Sequence, residues 1–537
     1  MDLFVRHHRH LHGHANDLLS CGLQSLHEKH KFNQGESIMK TSVKICLLMI
    51  AMILAVSSFT PKIANAESSE NIQKIEKFVE EQRSISKIPG LSVVIVEKGK
   101  TVYQKGFGYA DVKTKTPVTS NTLFEIGSTT KAFTGLAILQ LEKEGLLKRS
   151  DDVRKYIPWL ELKYNGEPQT ITLNQLLHHT SGIATNSITQ IPESNADNAL
   201  ELNVRTLLKQ QLDRQPGSSH EYATLNYDVL GLVIENVTKQ PYDVYMKKQI
   251  LEPIGMKDSF VGLHQVQSTE MASGYKIGFV QEQSYTPPIY RGNIPAGYLI
   301  SNTNDIAKWM KLQLGNDSSN AIDKQLIQES HIPDQSVEPL DKDTYYASGW
   351  AVMKKNEKQY IFHAGENPTF TSYFIMQPDE QLGIAILSNM NTSFTTAIGQ
   401  GVMDLWEGND VTYNHSDKYQ KLDRFLTILC IVVGCFCLFF ILLSLRIMRK
   451  LVRKQRIRTS LNVKRGLLLS IHTLIVAAIL TLTIMFPKIS GLPWVFVKVW
   501  APTTIPVFVY SIITVSIIYY LFGLLLVFTK KMKLKTK

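Results

Sequence analysis

Between Cys46 and Cys430 the sequence contains no cysteine. That excludes a disulfide framework over this stretch, and it excludes a thiol there as the nucleophile. Acidic residues are absent from 446–537, where 16 Lys or Arg occur. No internal repeat, Walker loop, Rossmann glycine fingerprint or zinc-ligand spacing occurs, so neither a cofactor nor a metal is implied. A clustered basic excess also removes the argument for a nucleic-acid partner. The formal net charge is +11, yet residues 67–445 hold 43 Asp or Glu against 35 Lys or Arg. The surplus positive charge lies where membrane topology places it.

Long apolar runs are present. Residues 425–445, 466–486 and 505–528 each approach or exceed the ~20 residues that span a bilayer as a helix. The loop after the first run carries Arg446, Arg449, Lys450, Arg453, Lys454, Arg456, Arg458, Lys464 and Arg465, and lysines crowd the C-terminal tail. The loop after the second run has only Lys488 and Lys498. Positive loops stay inside, so the bulk of the chain is expected outside and the C-terminus in the cytoplasm. Residues 39–66 read as a signal peptide, with Lys40 and Lys44, an apolar Ile45–Val56 and a small-residue Ala64-Asn65-Ala66 end. Cys46 lies at the front of that apolar run, which argues against lipid attachment. Residues 1–38 precede the initiator-like Met39 and read as an over-long start or a disordered leader; the cluster His7, His8, His10, His12 and His14 is taken the same way. The expected organisation is 67–410 as the extracellular domain, 411–424 as a polar linker, then the three spans. An exported domain without cysteine suits a Gram-positive surface.

Within the long middle region, Ser128 and Lys131 stand three residues apart before the helical apolar period of Ala132, Phe133, Leu136, Ala137 and Leu139. Residues at i and i+3 share a helix face, so an amine lies beside a hydroxyl. A serine becomes a useful nucleophile when an adjacent base takes its proton, and a lysine of lowered pKa can be that base. Its place at a helix start favours developing negative charge. Downstream come Tyr222-Ala223-Thr224 after a Pro-Gly turn, and His363-Ala364-Gly365-Glu366 in a strand-like run.

In that order these segments resemble the motifs S-x-x-K, Y-x-N and K-T-G or H-x-G of the serine hydrolase family of class C β-lactamases, low-molecular-mass penicillin-binding proteins, D-peptidases and related esterases. Leu176–Ile183, Pro253–Met256, Pro295–Tyr298 and Ser348–Trp350 resemble its supporting segments, and the resemblance covers about residues 70–410. It implies catalytic roles for Ser128, Lys131, Tyr222 and His363, with Thr224, Ala364, Gly365 and Glu366 at the substrate. Ser128 would be the nucleophile; Lys131 and Tyr222 would share the proton work, in an order left open. His363 would orient Tyr222 or meet a substrate carboxylate. Gly365 would leave the strand edge free for substrate, and the Ser128 and Glu366 N–H groups would form the oxyanion hole. His178 and His179 are read as structural. Thr224 stands where the family has asparagine.

The order of elements suits an α+β fold: an antiparallel sheet with flanking helices and a helical subdomain inserted between its first and last strands, followed by three transmembrane helices. Expected elements include a helix over 67–86, a hairpin over 91–106, strands over 345–351, 359–363, 370–376 and 382–389, and a closing helix over 395–406. The functional expectation is a membrane-anchored acyl-serine hydrolase acting on D-amino-acid peptides or esters of the envelope. Small-molecule, peptidoglycan or teichoic-acid-type substrates, β-lactams as acylating ligands and membrane lipids are the implied partners. A β-lactamase and a penicillin-acylated sensor or binding protein are the alternatives.

Overall fold

The computed structural model describes residues 62–316, 322–411, 415–489 and 491–532. The leader, most of the signal-like segment and the last lysines of the tail lie outside the described residues. Residues Gln73–Lys537 form one compact unit.

Helix α1 (Lys62–Ser86) leads into the hairpin β1 (Gly90–Glu97) and β2 (Lys100–Asp111), which turns at Lys98 and Gly99, both with positive φ. Helices α2 (Lys131–Lys143), α3 (Leu225–Thr238) and α4 (Thr303–Gln313) belong to the long insertion between that hairpin and the rest of the sheet. The sheet resumes with β3 (Thr344–Tyr346), β4 (Ala351–Lys355), β5 (Lys358–Glu366), β6 (Thr371–Gln377) and β7 (Leu382–Ser388), and α5 (Phe394–Trp406) closes it. Its order is β3-β4-β5-β6-β7-β1-β2, with the short strand Thr116–Pro117 beyond β2. All of these pairs are antiparallel.

β1 is buried on both faces, which is why it reads as a continuous apolar run. Leu91, Val93 and Ile95 join Ile75, Val79, Ile398 and Val402 of α1 and α5 in one core. Val94 and Val96 join Phe133, Leu136, Trp309 and Met310 of α2 and α4 in the other. Because β1 pairs with β7, the first and last strands are neighbours and the helical region is an insertion, as the α+β reading expects.

The expected single strand over 345–351 is instead two strands. The chain leaves the sheet at Ala347–Trp350 because Gly349, at φ +85°, packs on the first turn of α2: a Cβ there would come within 2.4 Å of the Ala132 nitrogen.

After the sheet come α6 (Lys418–Val452), α7 (Val463–Ile489), the short α8 (Trp494–Trp500) and α9 (Thr504–Val527). Three of them are long and apolar enough to cross a membrane. The expected linker over 411–424 is already helical from Lys418, where the Asp417 side chain accepts the Gln420 N–H at 2.9 Å. At 1.5 Å per residue α6 is roughly 52 Å long, more than a bilayer core of about 30 Å, so it also carries polar residues outside the apolar segment.

Candidate active site

Ser128 lies in a tight 3-10 turn, Gly127–Thr130, that runs directly into α2. The turn presses on the end of β5: a Cβ on Gly127, which has φ +55°, would lie 2.5 Å from the Glu366 nitrogen. The Ile126 carbonyl accepts from Thr129 Oγ1 at 2.7 Å and from Ser372 Oγ at 2.6 Å, which pins the turn to β6. The i,i+3 relation holds, with a 3-10 turn in place of the expected regular helix start.

Lys131 is fully buried. Its Nζ lies 3.0 Å from Ser128 Oγ and donates to the Ala296 carbonyl at 2.7 Å. It also sits 5.1 Å from the Tyr222 ring centre and 5.7 Å from that of Tyr227. Burial pushes its pKa down to about 7, while the nearby Asp228 carboxyl acts in the opposite sense. Tyr222 is affected in the other direction: burial raises its phenol, and a hydrogen bond with Ser128 offsets part of the rise. Near neutral pH the lysine can therefore be neutral while the tyrosine keeps its proton.

His363 is placed in the same cluster, 6.1 Å from the Tyr222 ring, but its nitrogens are engaged elsewhere. Nδ1 lies 2.7 Å from the Ala364 carbonyl, so it carries the hydrogen and donates. Nε2 must then accept, and the Tyr346 hydroxyl donates to it at 2.9 Å. Burial and the Lys131 charge lower its pKa to about 3. A neutral imidazole whose Nε2 is an acceptor offers no proton to a substrate carboxylate, so that part of the sequence expectation is corrected. Its direct partner is Tyr346, which stands 4.6 Å from the ring of His179; no motif in the sequence marks this tyrosine.

Gly365 also receives a different reason. A Cβ there would lie 2.1 Å from the Ile126 carbonyl oxygen and 2.3 Å from Ser372 Oγ. The glycine is needed for the serine turn to pack on β5. Ala364, exposed, is beside it, and Glu366 ends the strand with its N–H against Gly127. Thr224 precedes α3, almost buried, with no side-chain cap bond.

His178 Nδ1 lies 2.9 Å from the Asn174 carbonyl, and His179 is fully buried in a hydrogen-bond network of its own. His179 Nδ1 lies 2.8 Å from Asn226 Nδ2 and accepts the Ala223 N–H at 3.3 Å, and Ser181 Oγ donates to Asn226 Oδ1 at 2.6 Å. These bonds tie the His-Thr-Ser-Gly segment to the start of α3, and the His179 ring braces Tyr222 at 4.3 Å.

Two carboxyls near the site escaped the sequence reading. Asp228, on α3, is buried beside Lys131 and accepts from Asn203 Nδ2 at 2.8 Å. Glu125, three residues before Ser128, accepts from Asn367 Nδ2 at 2.7 Å. Both are acids embedded in apolar runs, Leu225–Ile234 and Leu123–Ile126, and that is the signal that could have marked them. Among the described residues no group of His, Cys, Asp or Glu could hold a metal ion.

The β-lactamase family profile matches residues 74–400. The chain is 31% identical over 445 residues to Protein flp of Staphylococcus aureus (strain N315), covering 82% of this chain and 87% of that one. Among solved structures, the octameric penicillin-binding protein homologue from Pyrococcus abyssi matches with a TM-score of 0.56 and 29% identity, over 63% of this chain and 78% of that one. A class C β-lactamase matches in fold with a TM-score of 0.55 and 19% identity, over 65% of this chain and 98% of that one.

Proposed function

The chain belongs to the β-lactamase family, and from that premise we propose that it is a membrane-anchored acyl-serine hydrolase outside the cell, acting on D-amino-acid esters or peptides of the envelope. The observation that carries this reading is the buried Lys131 amine 3.0 Å from Ser128 Oγ, with its pKa lowered to about 7. Neutral Lys131 takes the Ser128 proton as Oγ attacks the carbonyl carbon. The N–H groups of Ser128 and Glu366 receive the developing oxyanion, a contribution of about 3 kcal/mol for each donor. Tyr222, still protonated, hands its proton to the leaving group and recovers one through Lys131. Water then hydrolyses the acyl-serine.

Esters and D-peptides are favoured over β-lactams by residue chemistry. Thr224 has no side-chain amide to offer a β-lactam's side-chain carbonyl, and neutral His363 provides no cationic anchor for the drug's carboxylate. The three apolar helices support anchoring at the envelope.

The test is intact-mass analysis of the purified protein after a fluorophosphonate, beside turnover of nitrocefin, a short-chain p-nitrophenyl ester and a D-Ala-D-Ala peptide. One adduct, lost in Ser128→Ala, and ester or peptide kcat/KM above that for nitrocefin are expected. Labelling that survives the substitution would remove Ser128 from the role. Nitrocefin turnover well above the other two would make the protein a β-lactamase.

A further inference from the structure

A cavity of about 210 Å³ is lined by Glu125 and by none of Ser128, Lys131, Tyr222 and His363. Tyr285, Tyr290, Tyr298 and Phe370 are among the surrounding rings. Glu125 is only 5% exposed. Asn367 occupies its Oε2, and among the described residues Oε1 has no hydrogen-bond partner. Thr369 Oγ1, in the same wall, is buried and likewise without a partner.

We propose that this cavity binds a primary ammonium group on the acyl side of the substrate, with Glu125 Oε1 and Thr369 Oγ1 as its acceptors and the aromatic rings around its charge. A buried carboxylate is unfavourable unless an opposite charge joins it, and aromatic faces attract a desolvated cation. The protein's own cations nearby are engaged elsewhere. Arg291 binds Asp197 at 2.5 Å and faces Asp243 at 3.8 Å, and His264 also meets Asp243, at 2.8 Å. Lys276 stacks 4.3 Å from the Tyr285 ring, but its Nζ donates to the Lys498 and Val499 carbonyls at 3.0 and 2.9 Å.

The cavity is within reach of the reaction. Ser128 follows Glu125 by three positions, which limits their Cα atoms to ~11 Å apart. Asn367, which holds Glu125 and donates to the Gly297 carbonyl at 2.9 Å, directly follows Glu366. Burial raises the Glu125 carboxyl to about 7 from an ordinary 4.5, against the Asn367 hydrogen bond, and an adjacent cation would favour its ionised form.

This inference rests on the acyl-serine reading and selects among its substrates: acyl groups that carry a free amine. The experiment compares matched esters with the full-length protein in detergent, D-alanyl against N-acetyl-D-alanyl and 6-aminohexanoyl against heptanoyl. In the wild type at least one ammonium ester should exceed its neutral counterpart in kcat/KM by tenfold, and Glu125→Gln, which keeps the Asn367 bond, should reduce that ratio at least tenfold. A role for Glu125 in packing alone would lower both members of a pair and leave the ratio unchanged. Neutral-ester turnover with no ammonium preference at either length, or a preference that survives Glu125→Gln, overturns the proposal while leaving Ser128 in place. Absence of fluorophosphonate labelling and of all turnover overturns the acyl-serine reading, and this inference with it. The wild-type ratios need no variant, so a misfolded Glu125→Gln does not protect the idea.

Discussion

In water a lysine ammonium keeps its proton to about pH 10, so Lys131 can accept one from Ser128 only because burial has removed that preference. In the proposed mechanism the neutral amine is the active form. The kcat/KM for a neutral ester should therefore rise as pH increases through about 7, the value to which burial lowers Lys131. His363, lowered to about 3, should add no limb between pH 5 and 9. Asp228 pulls the Lys131 value upward, although burial also raises the Asp228 carboxyl well above its ordinary value, so the pull is exerted only by its ionised form. In Asp228→Asn the acid limb should move to lower pH; a limb that stays in place, or moves up, would show that Asp228 does not act on the lysine. The same measurement in His363→Gln tests whether the imidazole acts only by positioning Tyr346.

At the scale of elements, the site depends on a serine turn and a strand whose backbones nearly touch. Gly127 and Gly365 face each other's chains, and either Cβ would fall inside contact distance. Gly365→Ala should destabilise the protein by about 1–3 kcal/mol through overpacking, and should slow fluorophosphonate labelling of Ser128 at least tenfold because the turn must move off β5. Thermal unfolding and the labelling rate check this. A variant that unfolds and labels like wild type would show that the turn accommodates the methyl group. The break between β3 and β4 follows the same logic, since Gly349 lies against Lys131 and Ala132 and gives up strand pairing to do so.

On the scale of the whole molecule, the hydrolase part and the apolar helices are joined by specific polar contacts. Asp423, near the start of α6, accepts the N–H groups of Phe279 and Val280 at 3.1 and 2.7 Å and meets the Thr504 hydroxyl at the start of α9. Lys276, three positions before Phe279, donates to the Lys498 and Val499 carbonyls of α8. At the opposite ends of the helices Arg456–Arg458 pairs with Thr529–Lys531, both within the basic segments. The molecule thus has an acidic domain and a basic helical end, the distribution that the proposed orientation with the domain outside requires. Protease added to intact cells should remove the domain and spare a tag placed after Lys537. A protected domain would refute that orientation.

The sequence alone determined the local geometry of the site and the class of the chain. Spacing of three puts Ser128 beside Lys131 in any helical turn, alternation and apolar runs mark β1 and the closing strands, and length marks the three apolar helices. These are short-range properties of a chain. The rest was decided by residues distant in sequence. In the proposed mechanism Lys131 is a base because burial among residues distant in sequence lowers its pKa against the opposing pull of Asp228, and His363 is neutral because burial and the Lys131 charge make it so. Glu125 became a candidate binding group only when Asn367, Thr369 and the rings of Tyr285, Tyr290 and Phe370 were brought around it. Desolvation is a property of the packed environment and not of a residue type, which is why the motifs were legible in the sequence and their electrostatics were not.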